Sequence, residues 1–311
     1  MLEFIDICKD TQMKLKARLE KRFKNEDYRV ISEDGFLLCI PQCEDAIPIL
    51  LTAHMDTVHK TAVKQVEIER HEGTTIITSP QGIGGDDRCG VYMISKLLDC
   101  GYKPYVLFCE DEEIGSVGAN KFTKKTWYVD LLEPVLYLIE LDRRNATDAV
   151  FYDCGNEEFK KYILDVTGYK EAEGSFSDIC VLSGACQKAS VNLSCGYYKE
   201  HTLEHWVVWE EMKDTINAVE KLLCDAKSVE EPFSYDEIKW SYGYDYDFWG
   251  AGEEEYTIWY TTDDSEYEEE DVCAKSYEEA VGIFLIGHPD LSYGNIYAAM
   301  GGGEFYEAEA L

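Results

Sequence analysis

The segment Ala46-Ile-Pro-Ile-Leu-Leu-Thr-Ala-His-Met-Asp56 combines a short, nearly continuous apolar run with a polar end. Such a run is typical of a β-strand that is buried on both faces. The same pattern of an apolar run followed by acidic or histidine residues recurs three times. These runs are 105–109 before Glu112, 134–139 before Asp142, and 189–193 before His201.

Helical patterns separate these runs, at residues 88–99, about 115–124, 155–163 and 207–226. An opening helix over 3–24 and a hairpin over 28–41, which turns at Asp34-Gly35, precede them. Strands that alternate with helices predict an α/β domain with a largely parallel sheet. Ligands of such sheets bind at the carboxyl ends of the strands, where the polar residues fall.

The charge of the chain divides it into two parts. The 311 residues carry a formal charge of −33. Proteins that bind nucleic-acid backbones or anionic membranes need a basic surface, so this charge excludes both as the default function. Residues 231–311 alone contribute −19 and hold 11 of the 22 tyrosines. We therefore expect a catalytic domain over 1–229 and a small acidic, Tyr-rich α+β unit over 230–311. That unit could serve as a packing module, a lid, an oligomer contact or a DNA-mimicking surface.

The C-terminal unit is expected to contain a strand at 256–260, an acidic turn at 263–271, a helix at 276–286 and a strand at 293–298, before a frayed tail at 301–311. No apolar run approaches the roughly 18–20 residues of a membrane span, and no export signal is evident. The twelve cysteines form no CxxC pair and often lie in apolar runs, so we expect reduced thiols in a cytoplasmic protein.

Each polar cluster has an ordinary explanation when it is taken alone. His54 beside Asp56 could be structural, and Asp86-Asp87 after a Gly-rich turn could cap a helix. The pair Glu112-Glu113 could form a solvated loop, and Asp142 could pair with Arg143 or Arg144 on the surface. None of these explanations accounts for the shared position at strand ends. Converging carboxylates repel one another unless a cation neutralises them, and His with carboxylate ligands suits zinc, or else cobalt or manganese.

The ordered set of motifs resembles the co-catalytic di-zinc exopeptidases, a group of aminopeptidases, tripeptidases and tetrahedral aminopeptidases. The motifs are His54-x-Asp56-Thr-Val, Gly-Gly-Asp86-Asp87-Arg-x-Gly90, Glu112-Glu113-x-Gly115, Asp142, Ser177-Asp178 and His201-Thr-x-Glu204. The resemblance covers about 46–205 and implies a three-layer α-β-α fold. It does not cover 231–311.

The resemblance also implies a role for each site residue. His54 and Asp142 would bind one Zn²⁺, Glu113 and His201 the second, and Asp86 both. Asp56 would orient His54, Asp87 would follow Asp86 through an often cis peptide bond, and Glu112 would be the general base for a metal-bridging water. His205 competes with His201 for the last position, but the residues after His201 match the family better. His59, His71 and His288 lack such a context and are expected to be structural or exposed.

The expected function is that of a di-zinc aminopeptidase acting on peptides or peptide-like small molecules. A carboxypeptidase or deacylase on the same centre, and a catalytically silent module that binds a basic partner, are the alternatives. Gaps of 32 residues between His54 and Asp86 and of 59 between Asp142 and His201 are too short for an inserted lid domain. Arg143 and Arg144 could bind a substrate carboxylate or merely neutralise the acidic site. The sequence predicts no oligomeric state.

Overall fold

The computed structural model describes residues 1–237, 254–261, 267–274, 277–288, 291, 296–301 and 304–307. The chain forms two compact units, Met1–Ile238 and Lys239–Leu311. Residues just beyond the expected boundary at 229 belong to the first unit, because isolated β-bridges join Ser234 to Lys188 and Glu237 to Cys154.

Eight strands of the first unit form one mixed sheet, in the order β1-β2-β6-β3-β7-β10-β8-β9. Four neighbouring strands in its centre, β6, β3, β7 and β10, run parallel, while β1 and β2 form an antiparallel hairpin at one edge. The strands of this sheet are β1 (Tyr28–Glu33), β2 (Phe36–Pro41), β3 (Ile47–His54), β6 (Pro104–Cys109), β7 (Tyr137–Arg143), β8 (Asp148–Val150), β9 (Lys170–Ala172) and β10 (Ser190–Ser194).

Helices cover both faces of this sheet. They are α1 (Leu2–Lys9), α2 (Gln12–Lys24), α3 (Gly85–Asp99), α4 (Val117–Thr123), α5 (Thr126–Asp130), α6 (Glu157–Thr167), α7 (Asp178–Cys186) and α8 (Trp209–Asp225), followed by a 3₁₀ turn at Ala226–Ser228. One apolar core packs α1, α2, α3, α6 and α8 on one face, and a second packs α4, α5 and α7 on the other. The unit is therefore a three-layer α-β-α sandwich, as expected.

The central strands supply both cores because successive side chains point to opposite faces. In β6, Val106 and Phe108 enter the larger core, whereas Leu107 and Cys109 enter the smaller one. A strand with no solvent-facing side needs apolar residues throughout, which explains its continuous apolar run.

The N-terminal segment forms two helices rather than the single helix expected over 3–24. The backbone is extended at Asp10 and Thr11, and the Thr11 hydroxyl accepts the N–H of Lys14. Apolar periodicity continues through this break, but the Asp-Thr pair favours a helix start and interrupts the helix.

A second, four-stranded sheet, in the order β11-β12-β5-β4, was not predicted. Its strands are β4 (Glu67–His71), β5 (Thr74–Thr78), β11 (Tyr197–Tyr198) and β12 (Trp206–Val208). The hairpin β4-β5 occupies the gap between His54 and Asp86, and the turn between β11 and β12 carries His201.

The second unit contains an antiparallel sheet in the order β14-β13-β15-β16, with one helix packed on it. Its elements are β13 (Glu254–Thr261), β14 (Tyr267–Ala274), α9 (Tyr277–Gly287), β15 (Ile296–Gly301) and β16 (Glu304–Glu307). The expected acidic turn at 263–271 is wrong from residue 267 onward, where β14 begins, and part of the expected frayed tail forms β16. Alternating Tyr256, Ile258 and Tyr260 of β13 share an apolar core with Phe284 of α9, so side-chain alternation outweighs the charge of the segment.

The eleven cysteines from Cys8 to Cys224 are all free thiols. Within the same ranges, no helix combines the length and apolar composition that crossing a bilayer requires.

Candidate metal centre

The carboxyl ends of three neighbouring parallel strands bring the predicted residues together. His54 is the last residue of β3, Glu112 and Glu113 follow β6, and Asp142 lies near the end of β7. Asp86 comes from the Gly-rich segment at the start of α3, and His201 from the turn between β11 and β12.

Two sets of three ligand atoms converge at this edge and share one residue. His54, Asp86 and Asp142 form the first set, in which Nε2 of His54 lies 3.0 Å from Oδ1 of Asp86 and 3.4 Å from Oδ1 of Asp142. In the second set, Nε2 of His201 lies 3.0 Å from Oε2 of Glu113 and 3.4 Å from Oδ2 of Asp86. Each set could hold one cation, and Asp86 offers one oxygen to each.

Asp56 connects the two sets without being part of either. Its Oδ1 lies 3.1 Å from Nδ1 of His54 and also accepts the backbone N–H of Glu112 at 3.0 Å. Its Oδ2 accepts the backbone N–H of Glu113 at 3.0 Å. A carboxylate on Nδ1 keeps Nε2 free to bind a metal, so Asp56 orients the ring and positions the Glu112–Glu113 loop.

Asp86 and Asp87 are joined by a cis peptide bond, and their side chains make different contacts. Asp87 is fully buried, and its Oδ1 accepts the N–H of Gly90 at 2.8 Å, as a helix cap does. Its Oδ2 accepts the backbone N–H of His54 at 3.2 Å. The helix-cap explanation therefore fits Asp87, while Asp86 faces the two histidines.

Burial and mutual repulsion dominate the electrostatics of this acidic edge. Burial raises the pKa of Glu112 well above its usual value and, together with the charge of Asp86, raises that of Asp142 to about 7. Hydrogen bonds to Asp86 and Glu113 raise the pKa of His201 to about 11. Without a cation, the carboxylates can reduce their mutual repulsion only by taking up protons. Bound cations would neutralise their charges and remove this repulsion.

The two competing histidines occupy different environments. His201 is half-exposed and contacts Asp86 and Glu113. His205 is buried, neither ring nitrogen has a hydrogen-bond partner among the described residues, and burial lowers its pKa to about 4. The geometry favours His201 over His205 as the predicted ligand.

The other predicted alternatives are resolved by their contacts. The Glu112 and Glu113 side chains are buried or nearly so, which does not fit a solvated loop. Arg144 pairs with Glu200 at 2.5 Å, and Arg143 donates to the carbonyl of Glu173 at 3.0 Å. Neither arginine pairs with Asp142. His71 and His288 contact Glu69 and Glu270 respectively, and neither histidine belongs to a ligand set.

Sequence reasoning gave no role to several buried polar residues around Asp142. Ser177 donates to Glu140 at 2.7 Å and lies 3.2 Å from Oδ2 of Asp142, and the Tyr197 hydroxyl donates to the Asp142 carbonyl at 2.9 Å. Burial raises the pKa of Glu140 well above its usual value. An acid inside the apolar run of β7 was the available signal for Glu140, since a buried acid needs partners.

The donor atoms fit divalent zinc. Two imidazole nitrogens and three carboxylates are ligands that Zn²⁺ accepts, and Oε1 of Glu113 is buried without a hydrogen-bond partner among the described residues. Each set supplies three protein ligands and is open for a further one, which is the composition of catalytic rather than structural zinc sites.

No protein-family model matches the sequence, and no curated protein is significantly similar to it. Solved structures do match the fold. Aminopeptidase PepT from Bacillus cereus superposes with a TM-score of 0.57 at 15% identity, over 72% of this chain and 97% of PepT. The chain has the fold of these peptidases.

Two further structures with this peptidase fold are similar to the chain. A tripeptidase from Staphylococcus aureus has a TM-score of 0.54 at 12% identity, over 73% of this chain and 97% of its own. An aminopeptidase from the archaeon Desulfurococcus kamchatkensis has a TM-score of 0.52 at 10% identity, over 73% of this chain and 98% of its own. Because the identities are low, the likeness concerns the fold, and the function must be argued from the site.

Proposed function

We propose that this protein is a di-zinc hydrolase that cleaves amide bonds of peptides or peptide-like small molecules, as an aminopeptidase. The observation that carries the proposal is the pair of ligand sets sharing Asp86 at the carboxyl edge of the sheet. His54 and Asp142 would hold one ion, Glu113 and His201 the other, and Asp86 both. Cobalt or manganese would suit the same donors.

When bound, two divalent cations lower the pKa of a water molecule and polarise a substrate carbonyl. Glu112 would act as the base, and its position supports this role: its Oε2 lies 3.9 Å from Nε2 of His54, beside the first ligand set, and it belongs to neither set. Its carboxylate would take a proton from the attacking water and pass it to the leaving amine. Asp56 holds this base in place through the backbone N–H of Glu112.

Two measurements test the proposal. Elemental analysis should find close to two divalent ions per chain, and alanine p-nitroanilide should be hydrolysed while its N-acetylated form is not. Cleavage of the N-acetylated substrate alone would instead identify a deacylase or an N-blocked-peptide hydrolase on the same centre. If the protein neither holds metal nor releases product, the proposed enzymatic function is refuted. The catalytically silent binding module is then the remaining alternative.

A further inference from the structure

A cavity of about 210 Å³ lies beside the candidate metal centre. The link between α1 and α2, the loop after β3 and the start of α3 line it with polar groups. Asp56 belongs to the cavity wall and also contacts His54, so the cavity adjoins the first ligand set.

Arg88 is the unusual group in this wall. Its side chain is only 2% exposed, and its one hydrogen bond runs from Nη2 to the carbonyl of Asp10 at 3.2 Å. Nε and Nη1 have no partner among the described residues. A guanidinium carries five N–H donors and a permanent charge, and burying it is costly. The carboxylates of Asp56, Asp10 and Asp87 offset part of this cost through their charge, but they leave Nε and Nη1 without hydrogen bonds in the described part of the chain.

The acidic residues of the same wall are already engaged. Asp10 pairs with Arg18 at 2.8 Å, Asp111 accepts the Gln12 side-chain amide at 2.8 Å, and Asp56 holds His54 and two backbone amides. Among the described residues, Oδ2 of Asp10 forms the ion pair with Arg18 but no hydrogen bond, whereas the unpartnered donors of this wall are N–H groups, chiefly those of Arg88.

Two further features favour an anion in this cavity. Thr11 and Gln12, at the N-terminus of the 13-residue helix α2, line the wall, and that end of a helix attracts negative charge. His59 also lines the wall, with its Nε2 buried and unpartnered among the described residues. The volume is below the roughly 300–1,000 Å³ of sites for whole drug-sized ligands, so the cavity suits one side chain or chain terminus.

We propose that this cavity binds a carboxylate group through the free N–H groups of Arg88. The substrate assignment rests on the proposed function, under which the carboxylate belongs to a peptide whose scissile bond lies at the metal centre. The site would select acidic peptides or short peptides with a free C-terminus.

Calorimetry on the full-length protein tests the binding step, with glutarate and its uncharged diamide as probes. Wild type should bind glutarate at least roughly tenfold more tightly than the diamide, because hydrogen bonds to charged groups are the stronger ones. Arg88→Met should abolish this preference. Lys60→Met, which removes an exposed cation from the same wall, is the matched control and should retain it. Repeating the titration after metal removal excludes coordination of glutarate by a metal.

Equal binding of the two probes to wild type, or an unchanged preference in Arg88→Met, would overturn the proposal. The probe comparison on wild type needs no variant, so it stands even if Arg88→Met does not fold. Arg88→Lys serves as the second variant. It keeps the charge but loses the planar donor arrangement, and it should bind glutarate more weakly than wild type.

Three peptides identify the source of the carboxylate. Ala-Ala amide has none, Ala-Ala has a terminal one, and Glu-Ala amide has a side-chain one. The peptide whose carboxylate reaches Arg88 should exceed Ala-Ala amide in kcat/KM by roughly tenfold, and Arg88→Met should remove that excess. Glutarate binding without cleavage of any peptide would refute the peptidase while supporting the carboxylate site. Cleavage of all three with equal kcat/KM would refute the site as a substrate determinant.

Discussion

At the scale of single residues, neighbouring carboxylates of the centre differ in role because their surroundings differ. Asp86 faces both histidines, whereas Asp87 points to the backbone N–H groups of His54 and Gly90. Glu113 contacts His201, whereas the Glu112 side chain lies near His54 without belonging to either ligand set. Position in the chain alone would not separate these roles.

Glu112→Gln should strongly reduce turnover while leaving the metal sites intact. The amide keeps the shape of the side chain but cannot accept a proton, so kcat should fall by about 10²–10⁴. Metal content by elemental analysis and KM should stay near wild type. Glu110→Gln is the control, because Glu110 lies in the same loop but pairs with Lys16. A Glu112→Gln enzyme within tenfold of wild type would assign the base elsewhere.

Asp56→Asn should weaken metal binding although Asp56 belongs to neither ligand set. Its amide is a poorer partner for Nδ1 of His54 and cannot accept both backbone N–H bonds, so we expect a 10- to 100-fold loss of affinity. Competition with a chromogenic chelator measures this. The control is Asp111→Asn, whose side chain accepts from Gln12 instead. Equal losses in both variants would argue against a specific role for Asp56.

The residues of the candidate centre could be named from the sequence because each follows an apolar run or a Gly-rich turn. Arg88 could not be, and for Glu140 the only signal was an acid inside an apolar run, since the significance of both residues depends on missing or long-range partners. Arg88 is unusual only because two of its nitrogens are buried without partners, and Glu140 is explained by Ser177, 37 positions away. Such contacts are created by the tertiary fold.

At the scale of elements, the centre depends on how closely α3 approaches β7. A Cβ on Gly90 would lie 2.1 Å from the backbone oxygen of Leu141 and 2.6 Å from both Asp87 oxygens. Only glycine lets the helix pack this closely against the strand that carries Asp142. The central strands were predictable from continuous apolar runs, but β4, β5, β11 and β12 were not, because they are short or largely polar.

Gly90→Ala should destabilise the protein and reduce its metal content. Overpacking costs about 1–3 kcal/mol, and the shift of α3 would separate Asp86 from Asp142. Urea unfolding followed by circular dichroism, with elemental analysis of the folded protein, gives both readouts. Gly282→Ala in α9 is the control: its Cβ would meet nothing within 4 Å, and alanine favours a helix. If Gly90→Ala has the same free energy of unfolding as that control, the close approach of α3 to β7 does not contribute to stability.

At the scale of the whole molecule, the two units have separate apolar cores. The cores of the first unit draw on residues from Phe4 to Ala226, and that of the second on residues from Tyr256 to Ile296. All predicted ligands belong to the first unit. The roles weighed for the acidic C-terminal unit stay predictions.

A fragment ending at Ile238 should therefore fold and bind metal by itself. It keeps both first-unit cores and the β-bridges of Ser234 and Glu237. We expect cooperative thermal unfolding and the same metal content per chain as the full-length protein. A matched fragment ending at Ser228, which lacks those bridges and Phe233, should be less stable. Loss of metal from the 1–238 fragment would show that the ligand edge needs the second unit.

Strand β14 lies at an edge of its sheet, and its Glu269, Glu270 and Asp271 side chains are exposed. An edge strand can offer its backbone to another extended chain, which favours aggregation. If two copies aligned these strands side by side, acidic residues would face one another at close range, which is unfavourable. The acidic residues of β14 would therefore disfavour such pairing, and concentrated salt would weaken this effect by screening.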